Sequence, residues 1–236
     1  MKRVVLKISG EALAGETKVG INYDVVSEIA KEIKELYDLG NIQISIVVGA
    51  GNMCRGRVAI ESGMNRVNAD YMGMLATIMN AMAIQGLLEN LGLKASVMSA
   101  FSIPVICDTY SMREADKKLN AGEIIIFGGG TGNPFFSTDT CAALRAAELK
   151  CDMILMAKNG TDGVYDKDPR KDKTAKKFTK MTQQEVVERG LQVMDLTAAT
   201  ICSENNVDIY VFDMNQKGNI AKAVNDYSFG TLITNK

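Results

Sequence analysis

Apolar runs rich in β-branched residues alternate along this chain with longer stretches of helical period, and this alternation restricts the fold more than any other feature. Strands are predicted at 3–8, 42–48, 95–98, 103–107, 123–127, 152–157, 207–212 and 231–234. Helices are predicted between them, among others at 23–40, 67–91, 111–122 and 137–150. Repeated β-α-β order predicts an α/β fold with a mainly parallel central sheet, a three-layer αβα sandwich, in one domain spanning 1–236.

The composition excludes several classes of protein. Lys plus Arg number 27 against 28 Asp plus Glu, which leaves no broad basic surface for nucleic acid or anionic lipid. We see no signal peptide and no apolar run near the length of a membrane span, so we expect a cytoplasmic protein. The five cysteines form no C-x-x-C pair, and reduced, buried thiols are expected.

The chain contains no histidine, which narrows the chemistry further. Ser-His-Asp and Cys-His catalysis and most zinc sites are excluded. A phosphate or carboxylate acceptor remains possible without a histidine base, because it is already largely anionic at neutral pH. Such a reaction needs cations that bring two anions together, and no proton has to be removed.

Glycine-rich loops follow four of the predicted strands, in KISGEAL, VVGAGNMCRG, IIIFGGGTGNP and MAKNGTDGVY. Each loop alone is compatible with a simple tight turn, although GGGTGNP has more glycines than a turn requires. Ligands of parallel α/β sheets bind beyond the carboxyl ends of the strands. Backbone amides and helix starts at such places suit anions. No P-loop, dinucleotide or protein-kinase motif is present.

Two cations stand at these strand ends. Lys7 lies at the end of the first strand, where a lysine is awkward to bury, and Arg55 follows the second glycine-rich loop. Each could instead be a solvated or surface-paired residue. Together with oriented amides they are what phosphoryl transfer requires, since they offset the charge of the moving group.

These segments resemble the amino acid kinase family, and within it the bacterial uridylate (UMP) kinases, over essentially the whole chain. KISGEAL and the Gly51-Asn52 loop are typical of the wider family, whereas NRVNADYMGMLAT (65–77) and TGNPFFSTD (131–139) are more specific. The resemblance implies transfer of the γ-phosphoryl of ATP to UMP, giving UDP and ADP. It implies Mg²⁺ held mainly through phosphates, with no protein metal ligand assigned, and a homo-oligomer, typically a hexamer.

Position by position, the resemblance also implies site residues. Lys7 and Arg55 would be catalytic. ATP would contact Lys7, Ile8, Ser9, Gly10, Gly51, Arg55, Asn159, Tyr165 and Asp168. UMP would contact Ala50, Asp70, Thr131, Gly132, Asn133, Pro134, Phe135, Phe136, Ser137 and Thr138. Ala50 and Ser137 replace a glycine and a threonine of many relatives, and Ala50 requires a backbone that avoids positive φ.

Several roles stay open. Phe135 and Phe136 could pack against the base, form a subunit contact or lie in the core. Segment 166–180 is either a solvated loop or a lid over ATP. The helix containing Met72, Met74, Met79 and Met82 belongs to the core or to a subunit interface. Asp139 and Asp195 are helix-start acceptors or charge partners of Lys7. A carboxylate or carbamate kinase, and a non-catalytic nucleotide-responsive protein, are the alternative functions.

Overall fold

A computed structural model describes residues 1–54, 56–169, 171–191 and 193–235, with residue 57 described by its backbone alone. Eleven strands are assigned within these ranges: β1 Lys2–Ile8, β2 Ile42–Val48, β3 Ala95–Ser99, β4 Asp108–Thr109, β5 Ile124–Gly128, β6 Met153–Lys158, β7 Val164–Tyr165, β8 Lys177–Phe178, β9 Lys180–Thr182, β10 Asp208–Asp213 and β11 Thr231–Thr234. The helices there are α1 Tyr23–Asp38, α2 Gly56–Glu61, α3 Arg66–Asn90, α4 Met112–Asn120, α5 Thr138–Glu148, α6 Gln183–Glu188, α7 Leu196–Glu204 and α8 Asn219–Lys222. A 3₁₀ helix covers Gly10–Thr17.

Nine of the strands form one sheet in the order β4-β3-β5-β2-β1-β6-β10-β11-β9. Its pairs are parallel apart from β10 with β11. The predicted, mainly parallel sheet is therefore confirmed. The short strands β7 and β8 pair separately as an antiparallel hairpin.

Helices cover both faces of the sheet, because successive strand residues point to opposite sides and both sides are apolar. Val4, Leu6 and Ile8 of β1 pack with α1, α3 and α8 in one core. Val5 of the same strand packs with α4, α5, α6 and α7 in the other. Fully burying one such aliphatic side chain contributes about 1.5–3 kcal/mol, so the two cores hold the strand ends rigidly in place.

The prediction of a strand at 103–107 was wrong. Pro104 lies in a turn there, in which the amides of Ile106 and Cys107 both donate to the Ile103 carbonyl. Val105 is 92% exposed, so this apolar run is not buried in the sheet. The strand that does pair with β3 is the polar pair Asp108–Thr109. The hairpin β7–β8 and strand β9 had no clear signal in this charged part of the sequence.

Helix α3 has the length and composition of a membrane span, contrary to the sequence-based expectation. These two criteria are weak evidence, because the core helices of water-soluble proteins also meet them. In α3, 44% of the most apolar 18-residue window is buried within the protein. Residues such as Ala81, Ile84 and Leu88 belong to the core beside α1.

Candidate functional site

The four glycine-rich loops come together because their strands are direct neighbours. β5, β2, β1 and β6 lie side by side and run parallel, so their carboxyl ends form one row. The loops after β1 and β2 approach so closely that a Cβ on Gly10 would lie 2.3 Å from the Gly49 carbonyl oxygen. A side chain at Gly10 would thus separate the two loops. This row of strand ends is the candidate site.

The loop after β5 needs its glycines for conformation as well as for space. Gly129, Gly130 and Gly132 have φ of 77°, 57° and 81°, values that glycine adopts without strain. The amide of Gly129 donates to Thr77 Oγ1 of α3 at 2.9 Å. The glycines therefore let the chain turn back along α3 before helix α5 begins.

Helix α5 begins at Thr138, as predicted, and Ser137 caps it. Ser137 Oγ accepts from the amides of Asp139 and Thr140 at 3.0 and 3.2 Å. The cap satisfies two of the helix-start amides and fixes the direction in which α5 leaves the loop. Asp139, in the first turn, is placed beside the end of β1 by this geometry.

Lys7 is buried, and its Nζ lies 2.7 Å from Asp139 Oδ1. The pairing explains how a lysine can be buried at the end of a central strand, because the carboxylate offsets the loss of hydration. Of the two roles considered for Asp139, charge partner of Lys7 is the one that this contact supports. It also brings Lys7 against the end of the predicted nucleotide loop, where α5 begins.

Lys158, at the end of β6, is a candidate site residue that the sequence analysis missed. Its Nζ donates to the Val193 carbonyl at 2.7 Å. Burial lowers the pKa of this ammonium; nearby Asp139 opposes that effect and nearby Lys7 adds to it. A signal was present, because Lys158 ends an apolar strand and precedes a glycine-containing loop, as Lys7 does.

Asp195 joins the starts of two helices. Its carboxylate caps α7 by accepting from Ala198 N at 2.8 Å, and it also accepts from Thr140 Oγ1 at 2.9 Å and from Ser137 Oγ. Burial alone would raise its pKa, but these hydrogen bonds outweigh burial and the pKa of Asp195 is lowered. Asp195 is therefore a helix-start acceptor, one of the two roles considered for it, and it links α7 to the cap of α5.

A first cleft opens between α3 and the loop after β5. Five residues predicted for UMP line it: Ala50, Asp70, Phe136, Ser137 and Thr138. Asp70 Oδ2 accepts from the Phe135 amide at 2.8 Å, which ties α3 to the loop. Ala50 meets the backbone requirement stated above, since it is not among the positive-φ residues. Thr131, Gly132, Asn133 and Pro134 form the turn next to this cleft rather than its lining.

Phe135 and Phe136 do not lie in the core, so that alternative was wrong. They are 62% and 51% exposed. Phe135 has φ of 74°, an uncommon value for a non-glycine residue, and the Arg66 guanidinium lies 5.0 Å from its ring centroid. Base-side packing and subunit contact both stay compatible with these positions.

A second cleft lies on the other side, beyond the end of β6. Lys158, Gly163, Tyr165, Asp168 and Arg189 are among the residues that line it. Tyr165 donates to Asp162 Oδ1 at 2.7 Å, and this bond, with burial, raises the pKa of Tyr165 to about 12. Asn159 is not in the lining; its Oδ1 accepts from Asn215 Nδ2 at 2.9 Å. Tyr165 and Asp168 are thus brought together, and Asn159 lies apart from them.

The remaining predicted ATP residues divide into three groups. Ser9 and Gly10 start the 3₁₀ helix after β1, and Gly51 packs so closely that an added Cβ would lie 2.7 Å from Glu11 Cγ. Ile8 has its side chain in the core, so only its backbone borders the loop. Arg55 lies outside the described residues. The ion pair with Asp139 brings Lys7 to the 128–139 loop, whereas the predicted role of Arg55 stays a prediction.

Asp139, Lys158, Val193, Met194 and Asp195 line a further concavity, here called the junction. It shares Lys158 and Val193 with the second cleft and borders the first, because the Ser137 hydroxyl donates to Asp195. Within the described ranges, no group of three or more Cys, Asp or Glu side chains is arranged to hold a metal ion. The Lys158 ammonium and the carboxylates of Asp139 and Asp195 line the junction, and the Lys7 ammonium contacts it through its ion pair with Asp139. Such a set can bind and orient anions without histidine.

Comparisons with known proteins agree with this geometry. The model of the amino acid kinase family matches residues 2–213. A uridylate kinase of Limosilactobacillus reuteri (strain DSM 20016) is 51% identical over 232 residues, which are 98% of this chain and 96% of that protein. The crystal structure of UMP kinase from Bacillus anthracis matches with a TM-score of 0.95 and 38% identity, over 100% of this chain and 96% of that one. UMP kinase from Ureaplasma parvum matches with a TM-score of 0.94 and 36% identity, over 99% and 98% of the two chains.

Proposed function

The chain belongs to the amino acid kinase family, and from that membership we propose that it is an enzyme that transfers the γ-phosphoryl group of ATP to UMP, giving UDP and ADP. The observation that carries this proposal is a junction between two clefts that is lined by Lys158 and by Asp139, the ion-pair partner of Lys7. A phosphoryl donor in one cleft and an acceptor in the other would have their reacting groups at the junction. Direct in-line transfer needs this arrangement.

In this proposal the first cleft holds UMP. Asp70 would accept hydrogen bonds from the ribose hydroxyls while it anchors the loop through the Phe135 amide. Ala50, Phe136 and the run Thr131 to Thr138 would bound the nucleotide, and the start of α5 would face its phosphate. The phosphate of UMP is already anionic, so no general base is required.

The second cleft would hold ATP. Tyr165 and Asp168 would contact its adenosine part, with Asn159 at the edge. The backbone of Ile8, Ser9, Gly10 and Gly51 would approach its phosphates, where close-packed glycine loops leave room for them. Lys7, together with Arg55, would stabilise the charge on the moving phosphoryl group. Asp139 would hold the Lys7 ammonium in place for this role.

Mg²⁺ fits this site as a companion of the phosphates. Mg²⁺ binds proteins through one or two carboxylates and completes its shell with substrate phosphates and water. Of the residues that line the junction, Asp139 and Asp195 carry the carboxylates that would supply such a ligand. When bound with ATP, Mg²⁺ would offset the charge on the β- and γ-phosphates.

We further propose that residues 1–236 act as one domain and that the chain assembles as a homohexamer in the cytoplasm, without nucleic acid or membrane. The support for assembly is an exposed apolar stripe on α3. Met72, Leu75, Met79 and Met82 are between 43% and 52% exposed and follow the 3-4 spacing of one helix face, whereas Met74 is buried in the core. A contiguous stripe of this kind is typical of an interface between subunits.

The assembly proposal is tested by Leu75→Glu, which places a charge in the middle of the stripe. We expect a smaller species by light scattering, because an unpaired carboxylate in an apolar interface is costly. Leu39→Glu, at a similarly exposed position at the end of α1, is the control and should keep the oligomer. An unchanged mass for Leu75→Glu would exclude this face as the interface.

The function is tested by ADP release with ATP-Mg²⁺ and each of UMP, CMP, dUMP, dTMP, carbamate and aspartate. UMP should be turned over fastest. Preferred turnover of carbamate or aspartate would indicate a small-acid kinase on the same scaffold. UMP binding by calorimetry without ADP release from any acceptor would indicate a nucleotide-responsive protein instead.

A further inference from the structure

Lys158 occupies the boundary between the two clefts. It lines both the second cleft, with Tyr165 and Asp168, and the junction, with Asp139 and Asp195. β6, which it ends, pairs with β1, and Lys7 lies opposite Met156 of β6. The two lysines therefore project from the ends of neighbouring strands toward the same volume.

The Lys158 ammonium is incompletely satisfied by the protein. A lysine has three N–H donors, and in the part of the chain that the structure describes Nζ has one acceptor, the Val193 carbonyl at 2.7 Å. A partly buried cation with unused donors is unfavourable unless an anion joins it. Its lowered pKa has the same cause, since burial disfavours the charged form.

The charged groups around Lys158 differ from it in how far neighbouring groups satisfy them. Lys7 and Asp139 form a close pair at 2.7 Å, so their charges largely compensate. The Asp195 carboxylate is already covered by donors from Ser137, Thr140 and Ala198. Within the described residues Lys158 forms no close ion pair, although nearby Asp139 partly favours its charged form, and Lys158 lines the cleft proposed for the donor nucleotide.

We propose that Lys158 is a further catalytic residue, which binds the phosphates of the donor nucleotide and stabilises the negative charge that develops on the leaving diphosphate. This inference rests on the proposed function. In the step, an oxygen of the acceptor phosphate forms a bond to the γ-phosphorus, and the bond from that phosphorus to the β–γ bridging oxygen breaks. The electron pair leaves with ADP, and no proton needs to move. Lys158 donates hydrogen bonds on this leaving side.

The test compares three substitutions with one control. Lys158→Met keeps the length of the side chain and removes its charge, Lys158→Gln keeps an amide donor for the Val193 carbonyl without charge, and Lys158→Arg keeps the charge. Lys94→Met removes an exposed lysine just before β3, at the amino ends of the strands and so at the opposite edge of the sheet from the site. Each is assayed for kcat, for KM of both nucleotides and for binding of ADP, UMP and aluminium fluoride as a mimic of the moving phosphoryl group.

We expect Lys158→Met and Lys158→Gln to lower kcat about 10²-fold, the effect of removing one donor that acts on developing charge. KM for UMP should stay within about threefold, and the tight complex with ADP, UMP and aluminium fluoride should be lost, because such mimics report transition-state binding. Lys158→Arg should recover at least about tenfold of kcat. Lys94→Met should behave as the unmodified protein.

A kcat for Lys158→Gln within a few-fold of the unmodified protein would overturn the inference. So would a parallel loss of UMP and ADP binding in all three variants, which would assign Lys158 a purely structural role. If the unmodified protein itself fails to turn over UMP, the proposed function fails first. If it turns over UMP and Lys158→Gln does so equally well, only this inference fails.

Discussion

The two clefts beside the junction are bounded by segments that different kinds of interaction hold in place. The first is bounded by α3 and the start of α5 and is fixed by single short bonds to backbone amides, such as those from Phe135 to Asp70 and from Gly129 to Thr77. The second borders a charged segment with exposed ion pairs, such as Lys177 with Asp162 and Lys167 with Asp172.

The difference predicts how each cleft responds to substitution. Loss of one hydrogen bond to a loop amide leaves the loop that bounds the first cleft without its anchor. Exposed ion pairs are screened by water, and each contributes little. Substitutions at the junction and the first cleft should therefore have larger effects than those in the second. The segment 166–180 contains hairpin strand β8, the first residue of β9 and local turns. Whether it closes over ATP stays a prediction.

The largest effect is expected at the junction, where neither cleft can compensate. Lys7→Ala should lower kcat by about 10²–10³-fold, as for other donors that act on developing charge. UMP affinity by calorimetry should be nearly unchanged, because the first cleft is intact. Lys31→Ala, in an exposed pair with Glu28, is the control. Equal loss of UMP binding and turnover would contradict the role given to Lys7.

The second-largest effect is expected at Asp70, which anchors the loop beside the first cleft. Asp70→Ala removes the acceptor of the Phe135 amide, which we estimate at about 1–2 kcal/mol, or roughly tenfold. KM for UMP should rise by about this factor, while KM for ATP stays the same. Asp38→Ala, on the exposed face of α1, serves as the control. If KM for ATP rises equally, the two clefts are not separate sites.

The third prediction concerns stability rather than binding. Asp195→Ala removes the cap of α7 and the acceptor of the Thr140 hydroxyl, and should lower the free energy of unfolding by about 1–2 kcal/mol. For a protein of this size that is a fall in Tm of roughly 2–8 °C by calorimetry. An unchanged Tm at neutral pH would show that the two helix starts are held by other contacts.

The pH dependence of that loss follows from the lowered pKa of Asp195. A carboxyl whose pKa is lower in the folded state stabilises the fold above its unfolded pKa, about 3.9. The difference in Tm between the two proteins should therefore be complete near neutral pH. It should shrink as the pH falls below about 4, through the folded pKa. A difference that grows in acid would contradict the assignment.

The smallest effect is expected in the second cleft. Tyr165→Phe removes the bond to Asp162, and KM for ATP should rise only about two- to fivefold with KM for UMP unchanged. Because the pKa of Tyr210 is also raised to about 12, the ultraviolet titration step near that pH should become smaller by one phenol in the variant. A rise in KM for ATP as large as the Asp70→Ala effect on UMP would remove the contrast between the clefts.

The sequence predicted the periodic elements well and the irregular ones poorly. Strands β1, β2, β5, β6 and β10 and the main helices appear where their apolar patterns place them. The apolar run 103–107 was predicted as a strand but forms a turn that contains Pro104. Strand β4 is too polar and too short to show a strand pattern in the sequence. Of the candidate site, Lys7, Asp70 and the loop 128–139 were found, whereas Lys158 was missed.

The features that the sequence determined by itself are local. They are the alternation of strand-like and helix-like apolar patterns, the glycines at four strand ends and the absence of histidine. The tertiary structure decided which ends became neighbours. The order β5-β2-β1-β6 places Lys7, Lys158 and Asp139 around one junction and lets Asp195 reach the cap of α5. No local pattern encodes that order, because it depends on pairing between distant strands, such as Val4 of β1 opposite Met153 of β6, and only packing of the two cores selects it.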